Sequence, residues 1–137
     1  MYNKLQNLIL GFLYAALWSE NDHSTPGGGY PFDDNYSIED LASDTIHAAC
    51  NDCATFLAMC EAAGVADFKS LIKRHSGDPD GSAGHDFLLT RNRHWAGFWD
   101  GDWGDENGAA NKLTTAAESF GGFSLYLGDD GMIYNYR

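Results

Sequence analysis

Apolar positions recur at helical spacing through the first half of the chain. Residues 4–19 carry apolar side chains every three or four positions, which predicts an amphipathic helix. A second stripe runs through 44–63 and stops at Gly64, a residue typical of the position after a helix. Asp67 is placed to cap a short helix over 68–75. The first half is therefore predicted to be mainly helical.

The pattern changes to alternation in the last third of the chain. Segments 86–91 and 95–99 resemble two strands joined by a turn, and 123–128 and 131–136 resemble a second such pair. A short helix over 112–120 is predicted between them. Helices followed by hairpins predict an α+β fold, with N-terminal helices packed on a small antiparallel sheet made of two β-hairpins. With no repeats and no second core pattern, residues 1–137 are predicted to form a single domain.

Many aromatic residues fall on the predicted hairpins. They are Trp95, Phe98, Trp99, Tyr126, Tyr134 and Tyr136. Aromatic side chains on a sheet can stack single-stranded nucleic acid, but such platforms need flanking positive charge, which is missing here. We therefore predict that these aromatic residues belong to the core.

The charge of the chain is strongly negative. Eight Lys and Arg against twenty Asp and Glu give 8 − 20 = −12, and no Lys or Arg occurs between Leu5 and Phe68. Direct binding to nucleic acid or to an anionic membrane requires Lys and Arg, so the composition argues against both. An acidic surface instead fits a basic protein partner, or a chain that is merely kept in solution by its charge.

Two groups of residues are the candidates for contact with such a partner. The first group consists of Asp33, Asp34, Glu39, Asp40 and Asp44. The second group consists of Asp100, Asp102, Trp103, Asp105 and Glu106. Trp103 is included because an indole among carboxylates is a common interface anchor, although packing of its ring onto the core is the alternative. Whether the two groups share a face is left open by the sequence.

Candidate chemistry is sparse. His85, Asp86 and His94 could supply acid–base chemistry or a metal site, but adjacent residues on a strand point to opposite faces, so His85 and Asp86 are not expected to act together. The three cysteines, at 50, 53 and 60, fall on one helical face and are interpreted as packing residues. Arg91 and Arg93 are expected to pair with Asp86 or Asp100. The sequence predicts no cofactor, no bound metal and no enzyme activity.

Residues 8–18 form the only long apolar run of the sequence, and eleven residues are too few to cross a bilayer. No clean small-residue cleavage site follows this run, so we expect a cytosolic protein.

A motif in the second half resembles a known group of proteins. It begins with Gly84-His85-Asp86-Phe87 and Leu89-Thr90-Arg91-Asn92, continues through His94 to Ala96-Gly97-Phe98-Trp99-Asp100, and ends with Tyr126, Gly128-Asp129-Asp130-Gly131 and Ile133-Tyr134. The motif resembles small uncharacterised acidic proteins encoded by bacteriophages and mobile elements, which have glycine where this chain has Trp95. The resemblance implies a phage or mobile-element accessory protein, a class that often blocks host defences.

Charge and resemblance together predict an inhibitor of a host defence system, of the anti-CRISPR or anti-restriction kind. Its acidic face would bind the basic nucleic-acid-binding surface of a host protein or ribonucleoprotein in the host cytoplasm, without touching nucleic acid or membrane itself. Two alternatives stay open: a metal-binding protein or enzyme based on His85 and His94, and a structural or assembly protein of the virion that acts through its aromatic hairpins.

Overall fold

The first helix follows its predicted bounds. The computed structural model describes residues 2–24, 26–104 and 106–136, and its helix α1 spans Lys4–Ser19. Asn3 caps α1: its side chain accepts from the backbone N–H of Gln6, and the Gln6 side chain accepts from the backbone N–H of Asn3. This reciprocal pair satisfies two amide groups that the first turn leaves without a partner. The apolar side of α1, including Leu8, Phe12 and Leu13, is buried.

Two short 3-10 helices and the long helix α2 follow. The 3-10 helices span Phe32–Asp34 and Ile38–Asp40, and the second begins with a capping box between Ser37 and Asp40. Helix α2 spans Ser43–Ala63, and Gly64 ends it with a φ of 75°, a left-handed conformation that glycine adopts without strain. Helix α2 therefore agrees closely with the sequence prediction.

The predicted hairpin at 86–99 is wrong. Residues Pro79–Arg91 form helix α4, after the short helix α3 at Phe68–Leu71, which Asp67 caps. The Asp78 side chain accepts from the N–H of Gly81, and Pro79 occupies the first turn, where its missing N–H costs nothing. Helix α4 is buried along most of its length, so its sequence lacks the one-sided apolar stripe by which helices are recognised.

Glycines let α1 and α4 pack backbone against backbone. A Cβ added at Gly84 would collide with the carbonyl oxygen of Leu8, and one at Gly11 would collide with the carbonyl oxygen of Gly81. Such close approach is possible only where side chains are absent. The α1–α4 pair consequently forms the centre of the molecule, and the buried residues of the other helices pack around it.

Helix α4 also carries an arginine into the aromatic core. The Arg91 side chain is buried, its Nε donates to the carbonyl oxygen of Gly121 at 2.8 Å, and its Nη1 lies 2.7 Å from Asp52 Oδ2. The guanidinium carbon lies 5.0–5.8 Å from ring centres of four phenylalanines, Phe12, Phe87, Phe120 and Phe123. Hydrogen bonds, a carboxylate and ring faces together compensate the desolvation of the charge. The expected pairing of Arg91 with Asp86 or Asp100 is therefore wrong.

Two small antiparallel sheets complete the α+β fold. One pairs β1 (Asn21–Asp22) with β2 (Tyr30–Pro31), and the other pairs β3 (Leu125–Leu127) with β4 (Ile133–Asn135). The second is the hairpin predicted around Gly131, and helix α5 (Ala109–Glu118) precedes it. The α+β class is thus confirmed, whereas one hairpin lies in the 21–31 segment instead of 86–99.

The cysteines of α2 pack as the sequence indicated. Cys53 and Cys60 are fully buried, Cys50 is half-buried, and all are free thiols. Burial raises the pKa of Cys60 to about 12 and raises the pKa of Cys53 as well, so both thiols stay neutral at ordinary pH. Neutral, enclosed thiols behave as small hydrophobic side chains.

Candidate partner-binding surface

The β3–β4 hairpin is attached to the start of α2. The backbone N–H of Ala42 donates to the carbonyl oxygen of Ile133 at 2.9 Å, and the Thr45 hydroxyl donates to the same oxygen at 3.0 Å. In return, the Thr45 Oγ1 accepts from the N–H of Asn135 at 3.1 Å. These bonds fix the hairpin beside the acidic residues that precede and begin α2.

The two faces of this hairpin differ in character. Leu125 and Ile133 are buried, as strand alternation requires of residues facing the core. Tyr126 and Tyr134 lie opposite each other on the other face, with ring centres 5.8 Å apart, and Tyr136 lies 4.7 Å from Tyr126. We call Tyr126, Tyr134 and Tyr136 the tyrosine face.

The tyrosine face is open to solvent, so the prediction that the hairpin aromatics form core is wrong for most of them. Tyr126 is 38% exposed and Tyr136 is 59% exposed, while Trp95 and Trp99 are also exposed. Only Phe98 is fully enclosed. The signal that identifies the exposed face was present in the sequence: in Leu125-Tyr126-Leu127, apolar and tyrosine positions alternate, which separates them onto opposite faces.

Part of the first acidic group borders the tyrosine face. Glu39, Asp40 and Asp44 belong to the segment attached to the hairpin, and Asp44 lines a cleft of 480 Å³ together with Tyr126, Tyr134 and Tyr136. Asp33 and Asp34 follow Phe32, which lines a further cleft with Tyr126 and Tyr136. The structure therefore places Asp44 at the tyrosine face, with Glu39 and Asp40 in the segment that leads to it, while Asp33 itself lines a different cleft.

Two carboxylates of the hairpin turn add to this group. Asp129 and Asp130 line a 560 Å³ cleft with Tyr126 and Tyr134, and neither was a candidate contact residue in the sequence. The Tyr134 hydroxyl donates to Asp130 Oδ2 at 2.5 Å, and the N–H of Met132 donates to Asp130 Oδ1 at 2.9 Å. The hydrogen bond from Tyr134, followed by that from Met132, lowers the pKa of Asp130 and keeps it ionised.

Charge is distributed unevenly over the molecule. Lys4 pairs with Asp80, Arg74 with Asp102, Arg91 with Asp52, and Arg93 with the exposed Glu118. Within residues 2–24, 26–104 and 106–136, no Lys or Arg forms an ion pair with the first acidic group or with the turn carboxylates. The pairing therefore compensates acids elsewhere and leaves the hairpin region negative.

The second acidic group serves internal contacts. Asp102 pairs with Arg74 at 2.7 Å, and Asp100 accepts from the N–H groups of Gly97 and Asp102 within its own turn. Trp103 is only 2% exposed and its ring packs against Phe68 and Phe98, so it is a core residue and not an exposed anchor. Asp105 and the side chain of Glu106 lie outside the described residues.

The helical conformation of 79–91 also changes the expectation for His85 and Asp86. His85 Nδ1 lies 3.0 Å from Asp86 Oδ1, while the Trp103 indole N–H donates to Asp86 Oδ2 at 2.6 Å and Arg74 lies 3.6 Å away. Asp86 Oδ1 can accept a hydrogen bond from His85 Nδ1 in the tautomer that leaves Nε2 as an acceptor. The prediction that the side chains of His85 and Asp86 point apart is wrong, because both residues lie on a helix and not on a strand.

His85 lies at the edge of an aromatic cleft. The cleft has a volume of 390 Å³ and is lined by Tyr14, Trp18, Tyr36, Asp33 and Ser37 in addition to His85. The Trp18 ring centre lies 5.7 Å from that of His85 and 6.0 Å from that of His94, so the two histidines flank one indole. An imidazole oriented by a buried carboxylate can accept a proton from a molecule in this cleft.

Neither a metal centre nor a membrane span is found in the part of the chain that the structure describes. There, His, Cys, Asp and Glu do not form any group of three or more that could hold a metal ion. The helices of the same residues are too short or too polar to cross a bilayer.

Comparison with protein-family models, with curated proteins and with solved structures finds no match to this chain.

Proposed function

We propose that this protein is a phage or mobile-element accessory protein that inhibits a host defence complex, of the CRISPR or restriction kind, by binding its basic nucleic-acid-binding surface. The observation that carries the proposal is the uneven charge. The described cations that form ion pairs engage acids away from the hairpin, whereas the first acidic group and the turn carboxylates are exposed or half-exposed and form no such pair. Asp44, Asp129 and Asp130 line the clefts of the tyrosine face. Such a surface is complementary to a groove that evolved to hold phosphates.

The size of the charge is consistent with competition against DNA. A globule of this length has a diameter of roughly 37 Å, and duplex DNA of that length carries about 22 charges. A net charge of −12 is about half of that value. Electrostatic attraction of this kind accelerates association and weakens with salt, because screening shortens to about 8 Å at physiological ionic strength.

Competition with DNA tests the proposal. Purified restriction and CRISPR effectors are loaded with fluorescent DNA, and displacement is measured as this protein is added. We expect displacement by the wild type, with an apparent affinity that falls roughly tenfold between low and high salt.

A pair of charge-matched variants makes the test specific. Asp34→Asn/Glu39→Gln removes two acids of the first group, whereas Glu61→Gln/Glu118→Gln removes two exposed acids elsewhere, so both variants change −12 to −10. We expect the first pair to weaken displacement roughly fivefold and the second to leave it unchanged. Failure of the wild type to displace DNA from either class of effector, or equal effects of the two pairs, would contradict the proposal.

The His85–Asp86 pair favours a second candidate function, acid–base chemistry in the aromatic cleft. Its Nε2 would accept a proton from water as that water attacks an acyl group. Hydrolysis of p-nitrophenyl acetate is a direct probe: we expect a rate above that of His85→Gln, and no change in His75→Gln, which alters an exposed histidine. Equal rates for the wild type and His85→Gln would eliminate this candidate.

A further inference from the structure

The tyrosine face combines the features that bind a guanidinium group. Three phenol rings form one cluster, with centre distances of 5.8 and 4.7 Å. The clefts that meet at Tyr126 and Tyr134 are bordered by Asp44 on one side and by Asp129 and Asp130 on the other. Aromatic faces attract cations through their quadrupole, and nearby carboxylates add charge and hydrogen-bond acceptors.

The carboxylates differ in their availability. Asp130 is already engaged by the Tyr134 hydroxyl and the Met132 N–H, and these bonds hold the Tyr134 ring in place. Asp44 and Asp129 are exposed, and neither side chain forms a hydrogen bond or ion pair with the other described residues. Asp44 and Asp129 are therefore the groups free to receive a cation from outside.

The interior of the same protein shows which cation suits such a site. The guanidinium of Arg91 is held by phenylalanine rings and by Asp52 at 2.7 Å. A guanidinium is planar, stacks on rings and is more weakly hydrated than an ammonium group, so it loses less on leaving water. The same preference applies to tyrosine rings, whose faces also attract cations.

We infer that the tyrosine face, with Asp44 and Asp129, is a docking site for arginine side chains of a basic protein segment. This inference rests on the proposed function and deepens it, because it names the residues and the side-chain chemistry of the contact. The rings would stack with guanidinium groups while Asp44 and Asp129 accept their N–H groups. An arginine-rich segment would consequently bind more tightly than a lysine-rich segment of equal charge.

Binding of labelled peptides tests the docking site without any defence effector. Octa-arginine and octa-lysine peptides carry equal charge, and their affinities for the purified protein are compared by fluorescence anisotropy in the same buffer. We expect the arginine peptide to bind at least about threefold more tightly, because stacking adds to charge attraction. Equal affinities, or no binding of either peptide, would overturn the inference.

Matched variants locate the binding. Tyr136→Leu keeps an apolar side chain but removes a ring, and its control is Tyr2→Leu, since Tyr136 and Tyr2 are 59% and 62% exposed. Asp44→Asn is matched by Glu61→Gln, near the opposite end of α2 and about 25 Å away along the helix axis. We expect Tyr136→Leu and Asp44→Asn each to weaken arginine-peptide binding about threefold, with both controls unchanged.

The outcomes separate this inference from the function on which it rests. Equal losses in Asp44→Asn and Glu61→Gln would show attraction by net charge only and would overturn the docking site. A dimer that dissociates on Tyr136→Leu would overturn it too, since the face would then bind a second copy. If the arginine peptide binds as expected but the wild type displaces no DNA from any effector, the docking site stands and the inhibitor function fails.

Discussion

Two regions of this molecule combine aromatic rings with carboxylates. One lies in the interior around Arg91, and the other is the tyrosine face on the surface. Inside, Arg91 lies among phenylalanine rings with Asp52 at 2.7 Å. On the surface, Tyr126, Tyr134 and Tyr136 lie among carboxylates, and none of the described lysines or arginines forms an ion pair there. Both sites join ring faces to carboxylates, but only the interior one is occupied by a cation of the described chain.

The difference in ring type follows from the difference in burial. Phenylalanine has no polar atom, so Phe12, Phe87 and Phe123 can enclose Arg91 without leaving a hydroxyl unsatisfied. Tyrosine keeps its hydroxyl in water or on a neighbour, as Tyr134 does on Asp130. The interior site therefore stabilises the fold, whereas the tyrosine face has the composition of a surface that contacts a partner.

Removing the guanidinium from the interior site should lower the free energy of unfolding more than any other change considered below. Arg91→Met keeps an unbranched side chain but removes the charge, the bond to Gly121 and the ion pair with Asp52. We expect the free energy of unfolding to fall by about 3 kcal/mol, because breaking a buried pair leaves its partners uncompensated. Urea unfolding measures this change.

A surface arginine provides the control for that substitution. Arg93 is exposed and pairs with Glu118 at 3.2 Å, so Arg93→Met should cost less than about 0.5 kcal/mol. If Arg91→Met and Arg93→Met proved equally mild, Arg91 would have no special role in the interior, and the contrast between the two sites would lose its basis.

A smaller effect is expected from separating the helices that enclose Arg91. Gly84→Ala directs a methyl group into the backbone of α1 at Leu8, which cannot yield as a side chain would. We expect a loss of about 2 kcal/mol in urea unfolding. Gly77→Ala, where an added Cβ meets nothing within 4 Å, is the matched control. The hairpin is attached to α2, so Gly84→Ala should leave arginine-peptide binding unchanged under conditions in which the variant is folded. Loss of peptide binding in the folded variant would show that the tyrosine face depends on the α1–α4 contact.

The smallest effect concerns the internal hydrogen bond of the tyrosine face. The Tyr134 hydroxyl is the main cause that lowers the pKa of Asp130, so Tyr134→Phe should move that pKa upward toward its ordinary value. Carbon-detected NMR titration of the Asp130 carboxyl measures the shift. An unchanged titration midpoint would mean that the hydroxyl does not hold Asp130.

The pH dependence of stability follows with a definite sign. Asp130 has a lower pKa in the folded than in the unfolded chain, so its contribution is present above the unfolded pKa and is lost as pH falls through the folded pKa. Tyr134→Phe removes much of this contribution. Its unfolding free energy should therefore depend less on pH on the acid side than that of the wild type.

Local signals in the sequence were sufficient for the ends of several elements. Gly64 and Asp67 occupy the capping positions predicted for them, and helices α1 and α2 begin and end close to the predicted residues. The hairpin around Gly131 could also be predicted, because its turn residues and the alternation of its strands are local properties of the sequence. The acidic character of the Asp33–Asp44 segment also followed from composition.

Helix α4 could not be predicted from the sequence, because its polar side chains are satisfied by residues far away in the chain. Helix α4 is buried although it carries three polar side chains, because each of them has a partner elsewhere in the fold. The partners are the Trp103 indole N–H for Asp86, the Phe98 N–H for Thr90, and Asp52 for Arg91. Those partners lie 8 to 39 residues away in sequence, beyond the reach of any periodicity. The same limitation hid the burial of Trp103.

By itself, the sequence determined the α+β class, the caps and most helix ends, and the large negative charge, because these depend on neighbouring residues or on composition. Only the tertiary structure decided which acids are compensated, that Trp103 is buried, and that the side chains of His85 and Asp86 are in contact. Those properties depend on which side chains meet across the fold. Packing decides this through the backbone contact of α1 with α4 and the bonds that attach the β3–β4 hairpin to α2.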